Sequence, residues 1–135
     1  MNPKFPGEEW LNNFHNRLNT DEQYARIAKG WEGDITVVLE PDHSLNEKLI
    51  FYFDLWHGKC KRVAILKSEG EVNSAFVISS TYDNFVLLLR GKLDPIQAML
   101  TRKLKVKGSM AVMMRNVPVV LDFVRCAREA TDEIA

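Results

Sequence analysis

The chain has 135 residues, of which 46% are hydrophobic and 27% charged, a balance that fits one compact globular domain and excludes disorder as its main state. Lys plus Arg equals Asp plus Glu at 18 each, so no global field draws the protein toward nucleic acid. Two cysteines, Cys60 and Cys126, are too few for the disulfide framework of a small secreted domain, and no stretch approaches the roughly 18–20 apolar residues of a membrane span. No apolar segment follows Met1, so the expected location is the cytoplasm with both thiols reduced, although one bridge remains possible on arithmetic.

Residues 1–7, with Pro3, Pro6 and Gly7, read as a leader. Trp10, Leu11, Phe14 and Leu18 fall at helical spacing and predict a helix over 8–18. Thr20 followed by Gln23 resembles a capping box for a short second helix that buries Tyr24, Ile27 and Ala28 and stops at Gly30. From Asp34 the period changes to two, with Ile35, Val37 and Leu39 alternating with Thr36, Val38 and Glu40. Residues 49–56 make a longer strand. Leu49, Phe51, Phe53 and Leu55 lie on one side and Ile50, Tyr52 and Trp56 on the other, a pattern of a central strand covered on both faces. His57-Gly58 turns the chain into a strand over 61–66, a polar break spans 67–73, and a fourth strand follows at 75–80. Four strands meandering in sequence predict an antiparallel sheet.

Helix resumes at Thr81. Thr81 or Asp83 caps a segment in which Phe85, Val86, Leu87, Leu88 and Leu89 are apolar all the way round, closed by Arg90-Gly91. Asp94 as N-cap and Pro95 at the first helical position start another helix, which supplies Ile96, Met99 and Leu100. Residues 103–107 alternate lysine with Leu104 and Val106, a strand with one charged side. A long last helix runs from Gly108 to about Thr131, bent near Pro118. On it Met110, Met113, Met114, Val117, Leu121 and Val124 share one face.

Four of the five methionines (Met99, Met110, Met113, Met114) fall in one short window. Methionine is unbranched and polarisable, so it adapts to a core gap or to a variable guest. The apolar stripes therefore either fill a core or line a tunnel of the roughly 300–1,000 Å³ that ligand pockets occupy; periodicity alone leaves both open. Asp54, His57 and Cys60 stand at three-residue steps and suit a metal ligand set or an activated thiol. A hairpin with local hydrogen bonds explains them more simply, and no metal and no catalytic residue is expected. Zinc usually takes four ligands, and only His15, His43 and Cys126 remain elsewhere. No phosphate-cradling glycine loop is present. Arg102, Lys103, Lys105 and Lys107 form the one basic run, either the solvated side of an edge strand or a docking surface for anionic headgroups.

The second half of the chain resembles a known family. The run 75–79 (Ala-Phe-Val-Ile-Ser), then Asp83-Asn84-Phe85, then 91–99 (Gly-Lys-Leu-Asp-Pro-Ile-Gln-Ala-Met) and 103–110 (Lys-Leu-Lys-Val-Lys-Gly-Ser-Met) are similar to the sterol carrier protein type two domain. Segments 28–34 and 54–60 are similar to its small standalone prokaryotic branch. The resemblance implies an α+β fold, with a five-stranded, mostly antiparallel sheet covered by helices that enclose a hydrophobic tunnel. It divides the chain into an N-terminal leader and helix, 1–19, and a lipid-binding domain, 20–135.

The tunnel lining that follows is Phe85, Leu88, Leu89, Ile96, Met99 and Leu100, with Met110, Met113, Met114, Val117 and Leu121 on the last helix. Phe51 and Phe53 form its floor by strand alternation. The last helix is longer here than in several family members, with Arg115, Asp122, Arg125 and Arg128 among its charges. The function implied is non-enzymatic carriage of fatty acyl, phospholipid, isoprenoid or sterol-like ligands, without a cofactor. The alternative is a protein-interaction or dimerisation module that recruits a lipid-modifying enzyme, as monomer or homodimer.

Overall fold

A computed structural model describes residues 4–42, 45–132 and 134; His43 and the first three residues of the leader lie outside it. The chain opens with α1 (Glu8–Thr20), whose Trp10, Leu11, Phe14 and Leu18 are all buried, and continues into α2 (Glu22–Ile27). The expected Thr20–Gln23 box is replaced by Asp21. Its carboxylate accepts the Tyr24 N–H at 2.9 Å, while the Thr20 hydroxyl donates back to Asn16 O and Gln23 donates to Asp122. A carboxylate at this position satisfies a free N–H and also meets the positive end of the helix dipole.

Five strands follow: β1 (Ile35–Glu40), β2 (Leu49–Trp56), β3 (Lys59–Leu66), β4 (Phe76–Thr81) and β5 (Lys105–Lys107). They form one sheet in the order β3-β2-β1-β4-β5. β2 pairs antiparallel with β1 and β3, and β5 antiparallel with β4, so the sheet is mostly antiparallel. The expected meander fails at β4, which lies parallel to β1, Ile35 opposite Phe76. Two features bring it there. The linking segment crosses the far face of the sheet and packs Val72 against the cluster of Val38, Ile50, Tyr52 and Leu66. Asp34 then clamps the returning chain, its carboxylate accepting the Ala75 N–H at 2.7 Å and the Tyr52 hydroxyl at 2.7 Å.

The other face of the sheet carries Ile35, Val37, Leu39, Phe51, Phe53, Leu55 and Phe76 into the main core. Three short helices and one longer one close over part of it: α3 (Tyr82–Leu89), α4 (Pro95–Leu100), α5 (Met110–Arg115) and the 13-residue α6 (Val117–Glu129). Thr81 caps α3 through the Asn84 N–H, and Asp94 caps α4 through Ile96 and Gln97. The single bent helix expected after Gly108 is two helices. Asn116 leaves helical geometry at φ −120° and ψ 32°, and its side-chain amide donates to Val112 O at 2.7 Å. Pro118 then stands in the first turn of α6, where its missing N–H costs nothing. Gly108, at φ +125°, is held to glycine by space as well: a Cβ there would stand 2.6 Å from the Phe76 ring and 2.7 Å from Ala75 O. No helix among the described residues is long and apolar enough to cross a membrane.

Candidate functional site: an enclosed apolar cavity

Between the helix-covered face and α3–α6 lies a cavity of about 60 Å³ whose wall presents no polar surface. Ile35, Val37, Leu55 and Ile78 from the sheet line it, together with Tyr24 and Trp31. Phe85, Leu88 and Leu89 come from α3, Pro95 and Met99 from α4, Leu104 from the turn after it, and Met113 from α5. α6 contributes Val119, Val120, Phe123, Val124 and Ala127. The Trp31 indole N–H donates to Gly33 O at 2.8 Å, so its polar edge is satisfied away from the void. A space so lined stays dry. At roughly 24 cal/mol per Å³ of unfilled volume, leaving these 60 Å³ empty costs about 1.4 kcal/mol. That is a noticeable share of the stability of a small domain.

Five of the lining residues expected from sequence stand around this cavity: Phe85, Leu88, Leu89, Met99 and Met113. Phe51 and Phe53 point to the same side of the sheet but lie outside the cavity, under α1. Their rings pack on Trp10 and Phe14 at centroid distances of 5.6 and 5.3 Å. Ile96 is half-buried against the cluster of Leu88, Ala98, Met99 and Leu104, and Val117 is half-buried at the start of α6. Leu100, Met110, Met114 and Leu121 are exposed, Leu100 by 66%. The break at Asn116 explains the last-helix residues. It ends the common stripe, and the six-residue α5 turns Met113 inward with Met110 and Met114 outward. The apolar girdle of α3 is also one-sided, since Leu87 faces solvent. In sequence Tyr24 reads as the buried face of a short helix, and Trp31 is no candidate for the site at all. Ile35, Val37 and Leu55 share the alternation that pointed to the floor.

Asp54, His57 and Cys60 do not form a ligand cluster, although Cys60 lies close to Asp54. His57 Nε2 pairs with Glu32 at 2.6 Å and its ring stacks on exposed Trp56. Cys60 is buried, and its thiol donates to Arg62 O. Burial pushes both the Cys60 and Cys126 thiols up to about 12, which leaves them poor nucleophiles. Both are free.

Among the described residues one trio, Asp21, Asp122 and Cys126, has the spacing of a metal site. A guanidinium already occupies its two carboxylates. Arg125 Nη2 lies 2.6 Å from Asp21, and its Nε lies 2.7 Å from Asp122. The Arg125 guanidinium holds the Asp21 carboxyl down to about 2. Arg17 and Glu129 extend the network, so it ties α6 to α1 and α2.

A crystal structure of sterol carrier protein 2 superposes on the chain with a TM-score of 0.82 at 29% identity, covering 91% of this chain and 96% of that one. The solution structure of a conserved hypothetical protein from Thermus thermophilus, described as possibly a sterol carrier protein, gives 0.83 at 29% identity, covering 93% and 89%. Sterol Carrier Protein-2 from Aedes aegypti, solved in complex with the C16 fatty acid palmitate, shares the fold at 0.55 and 13% identity, covering 87% and 92%. No curated protein matches. The model of the SCP-2 sterol transfer family matches residues 11–120, from inside α1 through all five strands to α6. The chain belongs to the SCP-2 sterol transfer family.

Proposed function

We propose that the chain is a lipid carrier, which takes the apolar part of an acyl, phospholipid, isoprenoid or sterol-like guest into the cavity under α3–α6 and releases it unchanged. One observation carries the reading: a void with no polar wall, kept open at an energetic cost in a chain of this family. The relatives solved as a sterol carrier protein and with palmitate support the ligand class. The closed cavity is far smaller than the roughly 300–1,000 Å³ of a loaded pocket. Loading therefore requires the helices to part. A buried CH₂ contributes about 0.8 kcal/mol, so a chain of roughly a dozen supplies about 10 kcal/mol before costs, enough to drive that opening. No group in the wall has the chemistry to act on the guest. Arg102, Lys103, Lys105 and Lys107, all exposed beside exposed Leu100, suit transient docking to an anionic membrane surface during exchange.

The test is solvent extraction of the purified protein with mass spectrometry of the extract, followed by titration of the stripped protein with a fluorescent fatty acid. Co-purified lipid and saturable, one-site binding are expected. Met113→Trp, which fills the cavity, lowers affinity at least 10-fold, whereas Ile65→Ser on the exposed side of β3 leaves it unchanged. No lipid in the extract together with no binding overturns the reading.

A further inference from the structure

Beside the α3–α4 turn a groove of about 500 Å³ opens to solvent, with Lys92, Leu93 and Asp94 on one bank and Leu121 and Arg128 on the other. Its bottom is Pro95 and Val124, and both of these also line the apolar cavity. The grooves beside β4–β5, between α1 and α6, and between α1 and β3 share no residue with that cavity. Two side chains thus separate a wet, cationic surface from a dry apolar interior.

The charges of the groove differ from those on α1 and elsewhere on α6. Arg17 and Arg125 are saturated by carboxylates. The Arg128 guanidinium instead reaches only the Leu88 carbonyl, at 3.3 Å, and among the described residues neither it nor Lys92 has a carboxylate partner. Asp94, the one acid on the banks, accepts the Ile96 and Gln97 N–H groups through Oδ1 at 2.8 and 3.0 Å, and against Lys92 and Arg128 its charge leaves the banks net positive. Arg128 lies over the turn at Gly91, where a Cβ would stand 3.5 Å from its Nε. The guanidinium is therefore held at the mouth with donors to spare.

Resting on the carrier reading, we infer that this groove is the headgroup subsite of the cavity and that the preferred guest is a single-chain anionic amphiphile. Its carboxylate or phosphate is held by Lys92 and Arg128, and its chain passes between Pro95 and Val124. The arrangement leaves the ligand's charge hydrated and paired while only its apolar part is desolvated, which avoids the large penalty of burying an ion. A neutral guest with the same chain gains the apolar term alone.

Calorimetric titration of the stripped protein at pH 7.5 with hexadecanoate, hexadecyl phosphate and hexadecanol tests this. The two anions are expected to bind at least 10-fold more tightly than the alcohol. In the double variant Lys92→Gln, Arg128→Gln the ratio falls to within about 2-fold of unity, and Arg128→Lys restores part of it. Val124→Trp, which narrows the passage, slows association of all three probes at least 10-fold. Inorganic phosphate alone gives no heat at millimolar concentration; binding as tight as hexadecyl phosphate would make the groove a free-anion site and overturn the inference. Equal binding of acid and alcohol by the wild type, or a ratio untouched by the double variant, overturns it as well and leaves the carrier reading standing. Failure of all three probes to bind overturns both.

Discussion

One face of one sheet is covered in two ways. Under α1, Trp10 and Phe14 meet Phe51 and Phe53, and Phe5 stands edge-on to Trp10 at 4.7 Å. The Trp10 indole N–H donates to Thr131 Oγ1, which fixes the ring from its polar edge. Under α3–α6 the same face meets Leu88, Leu89, Met99, Met113 and Val119, and a void remains. Flat rings in edge and tilted contact tile the space between a long helix and a strand. Of the helices over this part, α3, α4 and α5 have only six to eight residues, and each brings no more than three side chains to the cavity. α6 belongs to both regions. Phe123 touches Phe14 and Phe53 on one flank and lines the cavity, while Arg125 pins the helix to Asp21. The opening proposed for loading would therefore fall to α3, α4 and α5, with α6 as the fixed post.

The sharpest way to break this comparison is to truncate one residue in each region. Leu18→Ala under α1 removes a fully buried side chain of the same size as Leu88 and is expected to cost about 4–5 kcal/mol, at the upper end for such a change. Leu88→Ala borders space that is already vacant, so its side chain has fewer partners to lose and the cost is about 2–3 kcal/mol. Urea unfolding followed by tryptophan fluorescence measures both; equal costs would mean that the two regions are packed alike.

The next effect is acid lability of the post. Asp21 is depressed below its ordinary value, so its contribution to stability is full above about pH 4 and is lost as pH falls toward 2. A carboxylate held at 2 contributes up to about 2.6 kcal/mol, and less here because Arg125 is partly open to water. Asp21→Asn should flatten the stability profile between pH 4 and 2. An unchanged profile would show that the pinning of α6 comes from ring packing alone.

How much of this was legible in the sequence follows from the range of each interaction. α1, β2 and the cap at Asp94 are set by neighbours within a few residues, and spacing alone placed them; at the start of α3 spacing left Thr81 and Asp83 open, and the Asn84 N–H falls to Thr81. The parallel β1–β4 pairing depends on Asp34 meeting Ala75 across 41 residues and on Val72 crossing the far face. No local period encodes that. Pro118 announced an irregularity, but the full break also needed the Asn116 amide on Val112 O. For the site, methionines and an apolar girdle pointed to Phe85, Leu88, Leu89, Met99 and Met113, the lining carried by short helices. Alternation offered Phe51 and Phe53 on one sheet face, and both lie away from the cavity. Phe51, Phe53 and Leu55 are equivalent in strand pattern, and only the placement of α1 leaves Leu55 at the cavity and covers the other two.

The smallest expected effect concerns what the two cavity methionines contribute beyond filling space. Met99→Leu with Met113→Leu conserves volume, so its stability cost should stay below about 1.5 kcal/mol, a shift of a few degrees in thermal unfolding. The branched leucines have fewer rotatable bonds, and a wall built from them adapts less to the outline of a guest. The ratio of affinities for hexadecanoate and a methyl-branched acid of the same length should therefore rise about 3-fold or more in favour of the linear chain. If the ratio stays put, accommodation lies in displacement of α3–α5 as bodies. The contrast between the two regions would then be one of helix length, with side-chain type following from it.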